Sequence, residues 1–296
     1  MRKREKSMKR LYQNIIVMLF ILGGLAYANP PKRAISTAQF TTEILLSIGA
    51  EEKLIGTAYL DSEILPELKE KYDKIPVLSN KLPTKEKFYS QNPDFLTGWP
   101  SVLTPANLGP LEELNENGVQ VYIMKSVNSN NIEDVFSDIL KYGEIFELQE
   151  NAQNVVNEMK EDLEKIKNKL PKEKIKVFPY DSGEGVPFVV GGQGMGNTII
   201  ELAGGENIFK DINSSFGNGS WEKALVEDPE IILIVDYGDT SYEKKVEYIK
   251  QRSILKDLDA VKNNRFIKIE LADISSGVRN VKAIKKLAKE LHNIEI

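Results

Sequence analysis

Two stretches of this chain say nearly the same thing. Residues 86–99 read EKFYSQNPDFLTGW and residues 222–235 read EKALVEDPEIILIV. Each opens Glu-Lys, reaches Pro seven residues after the Glu, follows it with an acid and turns apolar. A second echo lies nearby. EILLSIGAEEKLIG (43–56) is answered by TIIELAGGENIF (198–209), with Gly49-Ala50-Glu51 matching Gly204-Gly205-Glu206. A chain that repeats its helix–strand punctuation more than a hundred residues later is constrained to two similar lobes, and 296 residues suit two domains of about 150 each.

The grammar inside each half is α/β. RAISTA reads as a strand, then Thr41 or Thr42 caps a helix carrying Ile44, Leu45 and Ile48 on one face, Gly49 ends it, and KLIGTA is the next strand. Strand–helix–strand in that order indicates a parallel sheet. EILPELKEKY, EKFYSQN and LGPLEELNENG read as further helices, DFLTGW and VQVYIM as strands. From about Glu133 to Leu170 the pattern becomes one long charged helix, with Val155, Val156, Met159, Leu163, Ile166 and Leu170 on one stripe and Pro171 as its stop. It is too polar for a core helix and too amphipathic for a flexible linker, so it reads as a rigid connector. Beyond it KIKVFPY, EIILIVDYG and RFIKIEL are strands, and NTIIELAG, EKALVED, a segment around 242–250 and NVKAIKKLAKELH are helices. The boundaries expected are residues 1–28, a lobe at 29–145, a connecting helix at 146–171 and a second lobe at 172–296.

Residues 1–28 read as a secretory signal peptide. Six Lys and Arg precede an apolar run from Ile15 to Ala26, and Ala26-Tyr27-Ala28 gives an A-x-A cleavage site. An uncleaved anchor helix is the alternative, though the run is short for a membrane span. Cleavage removes six basic and one acidic residue, leaving 33 Lys and Arg against 43 Asp and Glu. An acidic chain of this kind is a poor partner for nucleic acid or anionic membrane. There is no Cys and one His, His292. Disulfides, a lipid-anchored Cys, thiolate or three-His metal sites, and Ser-His-Asp triads are therefore unavailable. The expectation is a periplasmic, monomeric protein with no resident metal or cofactor and no catalytic residue.

Open α/β sheets bind ligands in the loops after their strands. Four such loops carry an aromatic: Tyr59, Trp99, Tyr180 and Tyr237. Arg279 follows the last strand. Aromatic walls with one Arg suit a large, partly flat, partly anionic ligand in a cleft between the lobes. GGQGMGNT (191–198) lacks the third glycine of a dinucleotide loop and the Lys of a phosphate loop. It reads as a cleft loop, with Gln193 inside it, feeding a helix N-terminus at Asn197. DSGEGVPF holds two acids, Asp181 and Glu184, which suit either turn formation or a carboxylate pair for glycoside hydrolysis. Glu86 and Glu222 each stand two positions after a capping candidate, Thr84 and Ser220. A first-turn acid complements the helix dipole; a symmetric pair, one per lobe, also suits a partner with two matching cations.

These residues resemble the substrate-binding proteins of ABC importers for iron–siderophore complexes, haem and cobalamin, the class of periplasmic binding protein with a rigid helical backbone. The resemblance runs over essentially the whole chain after the signal. It is strongest in IIELAGGENIFKDI and SWEKALVEDPEIILIVDYG, with YDSGEGVPFVVGG and GVRNVKAIKKLAKELH supporting it. It implies two Rossmann-like lobes, a ligand cleft between them, and docking of one surface Glu per lobe, Glu86 and Glu222, onto arginines of the membrane permease. It implies a metal chelate, a ferric siderophore or related iron complex, as ligand, with a corrinoid or haem as the alternative. A ligand sensor without transport would read the same, whereas a secreted α/β hydrolase would need the G-x-S-x-G nucleophile elbow that this sequence lacks.

Overall fold

The apolar runs between turn residues become short, fully buried strands of two sheets. The structure is a computed structural model that describes residues 29–238 and 240–296; the signal-peptide reading of residues 1–28 lies outside them. Pro31–Ile296 form one compact unit. In its first half, β1 (Ala34–Ser36), β2 (Leu54–Ala58), β3 (Val77–Ser79), β4 (Phe95–Thr97) and β5 (Gln120–Tyr122) pair in the order β3-β2-β1-β4-β5. Every pairing is parallel. Ala34, Ile35, Phe95 and Leu96 have no exposed surface, as strands covered on both faces require.

The second half repeats this plan and adds to it. β6 (Ile175–Ser182), β10 (Ile231–Asp236) and β11 (Phe266–Glu270) are parallel, and β8 (Gly205–Asn207) pairs parallel with the start of β6. β7 (Phe188–Val190) and β9 (Phe216–Asn218) add an antiparallel edge beside the end of β6. Pro179 falls between the residues of β6 paired to β8 and those paired to β7, where its missing N–H interrupts no ladder on that side.

The echoed residues hold the same local geometry in both halves. Helices Gln39–Ser47 and Met195–Leu202 end next to Gly49 and Gly204, with φ of 85° and 82°, the left-handed conformation glycine adopts at little cost. Helices Lys85–Tyr89 and Trp221–Glu227 start from Thr84 and Ser220, whose hydroxyls accept from Lys87 N and Lys223 N. Asn92 and Asp228, each before its Pro, sit at φ 48° and 47°. The acid after the Pro then grips the neighbouring strand. Asp94 accepts from Lys32 N and Arg33 N at 2.9 Å, ahead of β1, and Glu230 accepts from Lys176 N at 3.2 Å, in β6. The Pro-acid step thus pins the register of β4 on β1 and of β10 on β6. Asp94→Ala is expected to lose about 1.5–3 kcal/mol, the worth of hydrogen bonds to a charged acceptor. Urea denaturation checks it; a loss under about 0.5 kcal/mol, the range of ordinary surface substitutions, would remove the pinning role.

The long helical segment differs from expectation in one respect. It is two helices, Ile132–Phe146 and Gln149–Lys169, broken at Glu147, which sits at φ 57°. The second, about 31 Å long at 1.5 Å per residue, buries Ala152, Val156, Met159, Leu163 and Ile166. Its first turn is tied to the first half, Asn151 Nδ2 donating to Ile48 O at 2.9 Å. Its last turn is tied to the C-terminal tail, Lys169 Nζ donating to Glu295 O at 2.8 Å. Among the described residues no helix is long and apolar enough to cross a membrane.

Candidate functional site

The ends of the strands in both halves open onto one cavity of about 600 Å³, within the ~300–1,000 Å³ range of ligand pockets. Tyr59, Trp99 and Tyr237 line it. Tyr59 follows β2 and holds φ 61°, a conformation unusual for a bulky residue and concentrated at functional sites. Trp99 follows Gly98, where a Cβ would fall 2.0 Å from Thr37 Oγ1, so only glycine lets the two loops approach. The indole packs edge-on against Phe40, ring centroids 4.7 Å apart. Tyr237 leaves β10 and donates its hydroxyl to Asp181, at 3.0 and 3.2 Å from the two carboxylate oxygens.

Asp181 belongs to the cavity wall, a role its sequence setting does not announce. It is 2% exposed. Burial pushes its pKa above the usual carboxylate range, and the hydroxyls of Tyr237 and Ser182 pull against that. Burial and the Asp181 charge together push the Tyr237 hydroxyl up to about 12. Lys245 lies behind this pair. Its Nζ is 5.0 Å from the centre of the Tyr237 ring and donates to Val235 O at 2.6 Å. Phe188 and Phe216, stacked with centroids 6.0 Å apart, bring the edge strands β7 and β9 into the wall.

Three residues expected in the cleft are placed elsewhere. Tyr180 lies inside β6, two residues before its end, and points away from the cavity. It packs against Phe178 and Trp221 in the second core. Successive strand residues face opposite sides, so Asp181 takes the cavity face in its stead. Arg279 does not line the cavity. Its guanidinium is buried between the halves, with Nε donating to Glu43 Oε2 and Nη2 to Glu43 Oε1, both at 2.7 Å. Gln193 is exposed and does not line the cavity; its Oε1 accepts from Asn130 Nδ2 of the first half at 3.3 Å. The glycine-rich loop still contributes, since Met195 and Gly196, at the first turn of the helix it feeds, line the cavity. Of the two acids in DSGEGVPF, Glu184 is a turn residue whose carbonyl accepts from Trp221 Nε1 at 3.1 Å.

Glu86 and Glu222 are both exposed, each at the second position of its helix. Ser220 Oγ donates to Glu222 Oε2 at 2.8 Å, which together with a backbone N–H holds that carboxyl below its ordinary range. His292 lies against Gly204, outside the cavity. Among the described residues no three of His, Cys, Asp and Glu gather as a metal-binding group.

A family profile described as "Periplasmic binding protein" matches residues 35–271. A crystal structure of a periplasmic binding protein from Veillonella parvula is 37% identical, covers 91% of this chain and 94% of its own, and superposes with a TM-score of 0.86. A protein of Vibrio campbellii named vitamin B12-binding protein is 28% identical over 72% of this chain and 74% of its own length. A periplasmic haem binding protein of Vibrio cholerae shares the fold at 20% identity, with a TM-score of 0.72 over 88% of this chain and 98% of its own.

Proposed function

Because this chain belongs to the periplasmic binding protein family, we propose that it is the extracytoplasmic receptor of an ABC importer for a metal chelate. It captures the chelate, a ferric siderophore or related iron complex, in the cavity between its halves and delivers it to the importer's permease. The observation that carries this reading is the cavity itself, walled by Tyr59, Trp99 and Tyr237 from both halves. The chain's one imidazole is outside it, which suits a metal that arrives with its own donors. Glu86 and Glu222 are the permease contacts, one on each half. A cobalamin receptor of the same importer type is the second reading, favoured by the name of the Vibrio campbellii relative. The protein works in the periplasm as a monomer, exported by a cleaved signal peptide.

Tryptophan fluorescence tests this directly, because the chain has two tryptophans in unlike places. Trp99 lines the cavity, and Trp221 is packed in the second core. Titration with ferric siderophores, ferric citrate, haem and cobalamin is expected to give saturable one-to-one quenching with one of them. Trp99→Phe should remove most of that quenching while calorimetry still records binding. Quenching that survives the substitution unchanged would place the ligand away from Trp99.

A further inference from the structure

The polar groups facing the cavity are almost all neutral. Tyr59, Ser101, Asn128, Ser215, Ser275 and Tyr237 offer hydroxyls and one amide, between apolar faces supplied by Trp99, Phe188, Phe216 and Leu271. Among the described residues one side chain in the wall is a carboxylic acid, Asp181, and none is Lys or Arg. A second acid stands close by. Asp61, two residues after Tyr59, is near enough for its charge to act on Tyr237, and its Oδ2 is buried without a hydrogen-bond partner.

Lys81, which precedes the lining Leu82, is exposed and forms no ion pair among the described residues, but three other neighbouring cations are committed elsewhere. Lys125, which precedes the lining segment at Val127 and Asn128, is bound to Asp134 at 2.6 Å. Arg279, which follows Ser275 and Ser276, holds Glu43 with both arms of its guanidinium. Lys245 is behind the Tyr237 ring and 3% exposed. An anionic ligand entering this cavity would lose its hydration and meet carboxylates in place of counter-charges. Sites that recognise carboxylate or phosphate groups supply Arg or Lys, because a buried charge without a partner is strongly penalised. A ligand with uncharged amide and hydroxyl edges and alkyl faces meets hydroxyls, an amide and aromatic rings that suit it.

We infer that the cavity selects a chelate with no net negative charge, a corrinoid or a neutral ferric trihydroxamate, over ferric tricatecholates, ferric citrate and the dicarboxylate haem. This rests on the receptor reading above and deepens it by fixing the ligand's charge class. The test is calorimetry on the protein purified from an exporting cell, with cyanocobalamin and a ferrichrome-type ferric trihydroxamate against an enterobactin-type ferric tricatecholate, ferric citrate and haem. One neutral chelate is expected to bind about a hundredfold or more tighter than every anionic one, and which of the two it is separates the corrinoid from the siderophore. An anionic chelate binding as tightly as the neutral ones would overturn the inference and leave the receptor reading standing. Binding by neither class would overturn both. Ser101→Lys, at an exposed position of the cavity wall, is expected to raise the ratio of anionic to neutral affinity about tenfold, in line with a new charge pair across the rim. A ratio unmoved by this substitution would remove charge as the determinant.

Discussion

A protein carrying both Glu86→Arg and Glu222→Arg should bind its ligand with unchanged affinity and support no uptake above background. The two carboxylates lie on exposed first turns, each two residues after a capping hydroxyl and seven before a Pro, in halves built on the same plan. Neither lines the cavity. A two-point contact of matched charges sets register and encounter rate, so reversing both turns attraction into repulsion at both ends of the docked complex. Each single reversal should leave partial uptake. The substitutions give up a favourable helix-dipole interaction but leave the caps at Thr84 and Ser220 in place, and circular dichroism with a thermal melt checks that the fold survives. Uptake is followed in cells that carry the cognate importer, and affinity by calorimetry on the purified protein. A tenfold loss of affinity would move the two glutamates into ligand binding. Uptake at the parental rate would end the docking proposal.

The repeat that first set these glutamates apart turns out to carry two separate jobs. The glutamates themselves are exposed surface groups, while Pro93-Asp94 and Pro229-Glu230 belong to the sheets, where the acids hold strand register. The α/β grammar, the final helix Asn280–His292 and the paired glycines at 49 and 204 were legible because local rules govern them: amphipathic spacing, capping, and the need for positive φ after a helix. The break at Glu147 was not legible, since a charged residue in the left-handed region leaves no mark of the kind glycine leaves.

Within the candidate site, Tyr59, Trp99 and Tyr237 were readable as residues just beyond strand ends. Tyr180 misled because it stands at the end of the strand read as KIKVFPY, yet β6 continues to Ser182 across a change of neighbours. One residue of register then exchanges a tyrosine for an aspartate on the cavity wall. Phe188 and Phe216 were hidden because an edge strand of three residues has too short a period to read. Arg279 was hidden in another way. Its partner is 236 residues distant in sequence, and no spacing rule reaches that far.

That partnership supports the second large expectation: Arg279→Met should destabilise the protein by about 3–5 kcal/mol. The guanidinium grips Glu43 with two 2.7 Å bonds, and the two side chains are 8% and 1% exposed. Its third nitrogen lies 3.4 Å from both Glu270 and Asp273. Burial opposes the charge on Arg279, but the bonds and charges of Glu43 and Asp273 outweigh it and raise its pKa, so the guanidinium stays charged. Glu43 also accepts from Leu65 N and Gln39 Nε2, so it cannot turn outward when the arginine is removed. The result is a buried carboxylate with two more acids beside it. For a chain of this size the melting temperature should fall by roughly 10 °C or more. Arg279→Lys keeps the charge but loses the two-pronged geometry and should fall between parent and Met variant. Combining Arg279→Met with Glu43→Met should recover part of the loss, because no unpaired charge then remains; the two substitutions are coupled, not additive. A single Arg279→Met variant within about 1 kcal/mol of the parent, the size of an average substitution, would show that the pair does not hold the two halves together, and would return Arg279 to the candidates for meeting the ligand.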